Sequence, residues 1–197
     1  QRNALTRNIE IVNRIDVNHK GLVATRELLD INGNLICMDS NTTDIKGVST
    51  IELPALATDS VPDGIDGDVY YIRLKLADNK GETLSTNFYV LSANEGNLQQ
   101  LASLPEVNLT VSTERYSDNT LTVFLKNACD TPAMMIRLNL KTDDGEQVLP
   151  VDYSDNYFHL MPGEECFVNI EWNKADARQK VPFVEMTGYN VKQRTLR

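Results

Sequence analysis

The segment Val69–Ala77, VYYIRLKLA, has the clearest structural pattern in the sequence. In an extended chain, alternate side chains point to opposite faces. One face carries Tyr70, Ile72, Leu74 and Leu76, and the other carries Tyr71, Arg73 and Lys75. One apolar and one charged face are typical of a strand in an antiparallel sheet with one side buried. The turn sequence Asp78–Gly81 and the strand-like Thr83–Leu91 follow, which predicts a β-hairpin.

Short strand-like runs separated by Asn, Asp and Gly turns continue on both sides of this hairpin. The first series is Asn8–Ile15, Leu22–Ile31, Asn34–Met38, Gly47–Leu53, Val69–Ala77 and Thr83–Leu91. The second series is Val107–Thr113, Thr120–Asn127, Met134–Lys141, Gln147–Val151, Tyr157–Leu160, Cys166–Trp172 and Phe183–Asn190. Only Gly96–Ser103 has a helical pattern, and it is too short for more than a turn or two.

Seven short strands with turns about every ten residues are typical of an immunoglobulin-like sandwich. The sequence therefore predicts an all-β chain of two tandem immunoglobulin-like antiparallel β-sandwiches. We expect them at residues 1–95 and 105–197, joined by a short junction at 96–104. In the second sandwich, Leu121, Val123, Leu125 and Trp172 are predicted to face the core.

Composition excludes several classes of protein. The 197 residues carry a formal charge of −9 and are 41% hydrophobic, which is too apolar for a disordered chain. No run approaches the ~20 apolar residues of a membrane helix. The acidic balance argues against a nucleic-acid partner, because such binding rests on clustered Lys and Arg. The first ten residues lack the apolar core of a secretion signal, so we expect any signal outside this chain.

The three cysteines do not form a metal motif. No CxxC is present and neither histidine lies near a cysteine, whereas zinc ligands usually pair at short spacing. Cys37 and Cys166 lie in apolar runs and are expected to be buried as small hydrophobic residues. Cys129 lies in a polar, turn-like segment, and a Cys129–Cys166 disulfide stays open at this stage.

Catalytic motifs are missing as well. The sequence contains no GxSxG, HExxH or glycine-rich phosphate loop. His19 and His159 lie in strand-like segments without a nucleophile motif beside them. The acid pairs Asp143–Asp144 and Glu164–Glu165 lie in predicted turns, where acidic residues are common for structural reasons. We assign no catalytic residue, no metal ligand and no cofactor.

The segment Val148–Glu164, VLPVDYSDNYFHLMPGE, combines aromatic rings with carboxylates and amides. Carbohydrate-binding edges use this combination to stack on sugar rings and bind hydroxyls. The alternative is a connection in which Asp and Asn cap turns while the aromatic rings fill the core. The candidate residues for contact with a glycan or a neighbouring domain are Asp152, Tyr153, Asp155, Asn156 and Tyr157.

Several stretches, taken in order, resemble one known family. They are NFYVLS (Asn87–Ser92), LASLPEVNL (Leu101–Leu109), PAMMIRL (Pro132–Leu138), VLPVDYSDNYFHLMPGEE and GYNV (Gly188–Val191). Together they resemble the C-terminal part of a glycoside hydrolase family two enzyme, in its β-mannosidase and exo-β-glucosaminidase branch. In this family two immunoglobulin-like sandwiches follow a catalytic barrel, which carries the catalytic glutamates.

The resemblance implies a non-catalytic C-terminal accessory fragment of a secreted β-glycosidase, with β-mannosidase, exo-β-glucosaminidase or β-galactosidase-like activity in the parent. The implied partners are the catalytic barrel of the same chain and a glycan at the substrate cleft, in a periplasmic or extracellular location. An apolar patch should be exposed where the barrel docks. The alternative function is a stand-alone carbohydrate-binding or adhesin-type module that binds glycan through Tyr153 and Tyr157.

Overall fold

The computed structural model describes residues 1–55, 68–94 and 96–197, which divide into two compact units, Gln1–Ser103 and Leu104–Arg197. Apart from a short 3-10 helix at Gln99–Ser103, the regular structure in these ranges is β-strand, so the predicted all-β class is confirmed. Residue 95, where the first predicted domain ends, lies outside the described residues.

The described part of the first unit forms two antiparallel sheets. Its strands are β1 (Ile9–Asn13), β2 (His19–Asp30), β3 (Leu35–Ile45), β4 (Ser49–Leu53), β5 (Val69–Ala77) and β6 (Thr83–Ser92). The larger sheet has the order β3-β2-β5-β6, and β1 pairs with β4 in the smaller one. Ile9 from the small sheet packs against Leu28 and Ile72 from the large one, so the core lies between the two sheets.

One residue of β5 departs from the predicted alternation. Tyr71 was placed on the charged face with Arg73 and Lys75, but its side chain is completely buried. Its hydroxyl donates to the carbonyl of Ile31 at 3.1 Å, and its ring centroid lies 5.2 Å from that of Phe88. Burial, followed by the charge of Asp30, raises the pKa of Tyr71. The period of two assigns residues to a face, but it does not show that both faces are covered at this end of the strand.

The second unit is a sandwich of two four-stranded antiparallel sheets. Its strands are β7 (Thr110–Ser117), β8 (Thr120–Lys126), β9 (Ala133–Lys141), β10 (Val151–Tyr153), β11 (Phe158–Leu160), β12 (Glu165–Trp172), β13 (Phe183–Thr187) and β14 (Arg194–Leu196). The sheet orders are β10-β12-β8-β7 and β11-β9-β13-β14. One core cluster joins them, and it includes the predicted Leu121, Val123, Leu125 and Trp172.

Two details of the second unit differ from the sequence prediction. Residues Gln147–Val151 were predicted as a strand, but Gln147 forms only an isolated bridge with Lys141 and the strand covers Val151–Tyr153. Strand β14 was not predicted, because Arg194–Leu196 is short and its residues do not alternate between apolar and polar. It forms a strand because it pairs antiparallel with β13.

Candidate functional site

The predicted segment Val148–Glu164 is the connection between the two sheets of the second unit. It contains β10, at the edge of one sheet, and β11, at the edge of the other. Between them, residues 154–157 cross from sheet to sheet. The first of these, Ser154, is still bound to β12, because its N–H donates to the Asn169 carbonyl and its Oγ accepts from the Asn169 N–H, both at 2.9 Å.

Two of the five candidate residues hold this connection to the neighbouring strand β9. Asn156 binds both backbone groups of Leu138: its Oδ1 accepts from the Leu138 N–H and its Nδ2 donates to the Leu138 carbonyl, each at 2.9 Å. The hydroxyl of Tyr153 accepts from the Leu140 N–H at 2.9 Å. The polar groups of Asn156 and Tyr153 thus replace strand partners for β9.

The other three candidates point to solvent. Asp152 is exposed on β10 opposite Glu171 of β12, and Asp155 accepts the Asn156 N–H at 2.8 Å. Tyr157 has a left-handed backbone (φ 59°), and 55% of its surface is exposed. The guanidinium carbon of Arg137 lies 5.8 Å from the centre of the Tyr157 ring, within cation–π range. The five residues therefore do not converge on one pocket.

Burial shifts the pKa values of His159 and Cys166 in this region. Desolvation lowers the pKa of His159 to about 4, and its Nδ1 accepts the Met135 N–H at 3.2 Å. Burial, with help from Asp155 and Glu164, raises the pKa of the Cys166 thiol to about 11. A neutral imidazole and a neutral thiol at pH 7 are poor starting points for nucleophilic chemistry.

Cys37, Cys129 and Cys166 are not joined by disulfides, so the Cys129–Cys166 bridge is not formed in the structure. Each is half-buried. Cys37 packs against the core of the first unit, whereas Cys129 and Cys166 pack against that of the second. The expectation that Cys37 and Cys166 are buried is therefore wrong in part, because both pack against a core but each side chain stays partly exposed.

A surface that the sequence analysis did not single out lies on the outside of the sheet β10-β12-β8-β7. We call it the aromatic face and define it by Phe124 of β8 and by Phe167 and Asn169 of β12. Phe124 and Phe167 are cross-strand partners with ring centroids 6.4 Å apart, and they are 38% and 61% exposed. Beside them the Thr122 hydroxyl donates to Asn169 Oδ1 at 2.8 Å.

The aromatic face lies at the centre of its sheet, because β8 and β12 are the two inner strands. Central outward positions in a sheet that faces water usually carry polar side chains. The sequence does contain a signal for this surface. Phe124 stands between Thr122 and Lys126 in the outward series of β8, and Phe167 stands between Glu165 and Asn169 in that of β12.

A second feature of the first unit that the sequence did not indicate is a buried arginine paired with a half-exposed carboxylate. Arg26, on β2, is 4% exposed, and its guanidinium binds the Asp39 carboxylate at two points. Further bonds go to Asn41 Oδ1 at 2.6 Å and to the Pro54 carbonyl. Because these acceptors occupy the guanidinium, Arg26 joins β2, β3 and the end of β4 and is not an open anion site.

The described ranges contain neither a candidate metal site nor a helix that could span a membrane. Residues 1–55, 68–94 and 96–197 contain no group of three or more His, Cys, Asp or Glu side chains arranged to hold a metal ion. No helix in these ranges combines the length and apolar character needed to cross a membrane.

The fold and these surfaces define a protein of the immunoglobulin-like β-sandwich class. The chain belongs to the family described as the exo-beta-D-glucosaminidase Ig-fold domain, whose model matches residues 87–191, more than half of its length.

The chain is similar to several curated exo-beta-D-glucosaminidases. The protein of Streptomyces avermitilis is 28% identical in an alignment 163 residues long, which covers 70% of this chain and 18% of that protein. The protein of Amycolatopsis orientalis is 26% identical in an alignment 216 residues long, gaps included, which covers 96% of this chain and 20% of that protein. This chain therefore spans about a fifth of the length of these relatives.

Solved structures that superimpose on this chain have the same fold. The crystal structure of the Amycolatopsis orientalis exo-chitosanase CsxA superimposes with a TM-score of 0.86 at 23% identity, covering 99% of this chain and 26% of that one. A complex of CsxA with PNP-beta-D-glucosamine gives a TM-score of 0.84 at 21% identity over the same shares.

Proposed function

We propose that this chain is a non-catalytic accessory region of a longer exo-β-D-glucosaminidase acting on glucosamine-containing glycans. Its aromatic face packs against the catalytic domain of the same polypeptide. The observation that carries the proposal is the exposed Phe124–Phe167 pair in the middle of a sheet, in a chain about a fifth as long as its relatives. Among the three parent activities that the resemblance implied, the family match favours exo-β-glucosaminidase.

Contact with another domain accounts for the two phenylalanines better than solvent exposure does. Fully burying a Phe side chain stabilises a protein by about 1.5–3 kcal/mol, and about half of that remains available at a ring that is 61% exposed. Apolar rings rimmed by hydrogen-bonding side chains such as Asn169 have the composition of an interface core with its polar rim.

The acidic residues support a non-catalytic role. A glycosidase general acid needs a raised pKa. Lys180 instead lies 2.9 Å from Asp143 and 2.7 Å from Asp144, and its hydrogen bonds lower the pKa of both carboxyls. Glu164 accepts the Met161 N–H at 2.9 Å in a tight turn. These carboxylates stabilise local structure, so the catalytic pair is expected elsewhere in the parent.

The test compares Phe167→Asp in this chain and in the parent enzyme. In this chain we expect the free energy of unfolding to fall by about 1 kcal/mol, because the ring is only partly buried and its packing beside Phe124 is lost. In the parent we expect a loss of about 2 kcal/mol or more, because a charge would enter an apolar interface. The measurement is chemical unfolding of both proteins.

Val181→Asp is the matched control, since Val181 is a highly exposed apolar residue of the same unit outside the aromatic face. It should change neither protein. The docking proposal is wrong if Phe167→Asp has equal effects in the two backgrounds. The non-catalytic assignment is wrong if this purified chain hydrolyses p-nitrophenyl β-D-glucosaminide.

Glycan contact at the connection Val148–Glu164 is the second candidate, and the observation that favours it is the exposed ring of Tyr157 beside Arg137. Since Tyr153 and Asn156 are bound to β9, we propose that any sugar contact uses Tyr157 with Asp152 or Asp155. Calorimetric titration with glucosamine oligosaccharides tests this. Binding by this chain that Tyr157→Ala abolishes would favour a stand-alone binding module, and no heat of binding would exclude one.

We further propose that the parent is periplasmic or extracellular, where polymeric glycans are accessible. Fractionation of cells that produce the parent enzyme tests this proposal, and recovery of the enzyme in the cytosol would contradict it.

A further inference from the structure

An open groove lies in the first unit between β1, in the small sheet, and β6, at the edge of the large one. Its volume is about 230 Å³. The lining includes apolar side chains of β1, β2 and β5, with Ser85 and Asn87 of β6 on the opposite wall. Among residues 1–55 and 68–94, the large sheet has four strands and the small sheet two, so within these ranges β1 leaves part of the large sheet uncovered.

The first residues of the chain already run along the free edge of β1 as a short antiparallel strand. The α-ammonium group of Gln1 donates to the Glu10 carbonyl at 2.8 Å, the Glu10 N–H donates to the Gln1 carbonyl at 2.7 Å, and Arg2 forms a bridge with Ile9. The N–H of Arg2 also donates to the Tyr89 hydroxyl at 2.7 Å, which ties this segment to β6.

We propose that, in the longer polypeptide, the residues immediately preceding Gln1 continue this strand along β1 and fill the groove. The inference rests on the proposed function, which makes this chain part of a larger enzyme. The occupant follows from the register: in antiparallel pairing, each step upstream of Gln1 advances one residue along β1. The residue before Gln1 therefore lies opposite Ile11, and the one before that lies opposite Val12. Both Ile11 and Val12 line the groove.

The backbone of β1 can bind this continuation. Hydrogen-bonding groups of successive residues in a strand point to alternate edges. Glu10 directs its N–H and carbonyl to Gln1, so Val12 directs its own to the same edge. The other edge of β1 is occupied by β4. A residue opposite Val12 would exchange two backbone bonds with it, as Gln1 does with Glu10.

The register also defines the chemistry of the occupant. Directly opposed residues of an antiparallel pair point to the same face. Ile11 is 8% exposed and faces the core, so the residue immediately before Gln1 points into the groove beside Ala24 and Leu76. We expect an apolar residue there. The preceding residue shares the exposed face of Val12 and can be polar, but it cannot be proline, because its N–H donates to the Val12 carbonyl.

The experiment measures amide hydrogen exchange at Val12 in this chain and in the same chain extended by the six residues that precede it in the parent. We expect exchange at Val12 to slow at least about tenfold in the extended chain, because its N–H gains a ladder partner. Exchange at Ile11, which is bonded to β4, should stay the same. Unchanged exchange at Val12 would overturn the proposal.

A pair of variants separates strand pairing from general ordering. Proline at the second residue before Gln1 should remove the protection of Val12, whereas alanine at that position should retain it. Equal protection in the two variants would overturn the proposed register. In the parent, Phe167→Asp should leave the protection of Val12 intact, so a failure of docking at the aromatic face and a failure of strand addition give different results.

Discussion

The variant Asn156→Ala tests whether hydrogen bonds from the connection Val148–Glu164 stabilise strand β9. The substitution removes both bonds between the Asn156 side chain and the Leu138 backbone, each 2.9 Å long. Leu138 is 1% exposed, so its freed N–H and carbonyl have poor access to water. A net hydrogen bond contributes about 1 kcal/mol, and a buried group left unpaired costs about 1–3 kcal/mol. We expect a loss of about 2–4 kcal/mol in the free energy of unfolding.

The assay is urea unfolding followed by fluorescence of Trp172, the single tryptophan of the chain, which lies in the core of the same unit. Asp152→Asn is the matched control, because Asp152 is an exposed residue of the same connection. It should change the free energy of unfolding by less than about 0.5 kcal/mol. If Asn156→Ala changed the free energy of unfolding equally little, the proposed structural role of Asn156 would be refuted.

Two further predictions concern buried charge and pH. Arg26→Met should destabilise the first unit by about 1–3 kcal/mol, because the Pro54 carbonyl and the half-exposed Asp39 carboxylate lose the hydrogen bonds of the guanidinium; a change of less than about 0.5 kcal/mol in the free energy of unfolding would contradict this. His159 has a pKa of about 4 when folded and 6.5 otherwise, so the unfolded chain takes up the proton first. Stability should therefore fall, by up to about 3 kcal/mol, as pH decreases from 6.5 to 4. His159→Gln should reduce that slope, and an identical pH profile in the variant would show that His159 is not responsible.

Alternation of side chains predicted the inward faces of β5 and β8. In β8, Leu121, Val123 and Leu125 face inward as expected, because a period of two specifies a face directly. Alternation did not predict the partners of Arg26, which lies on the same face of β2 as Leu22, Ala24 and Leu28. A charged residue in an apolar series is a sequence signal for a buried charge with polar partners, but here those partners come from other strands.

The candidate site was predicted less completely than the fold. The sequence identified the connection Val148–Glu164 but not the separate roles of its residues. Asn156 and Tyr153 bind β9, whereas Tyr157 faces solvent. The outcome depends on where Leu138 and Leu140 pass the connection, and that position is set by the packing of two sheets. The aromatic face was missed for the same reason, since Phe124 and Phe167 become neighbours only when β8 and β12 pair.

The sequence by itself determined the all-β class, most of the strands and the apolar faces that form the cores, because these depend on local alternation and turn chemistry. Only the tertiary structure decided which polar groups bind backbone and which phenylalanines stay exposed. The groove beside β1 also follows only from the tertiary structure. These properties arise from register between strands far apart in the chain, and local pattern does not encode that register.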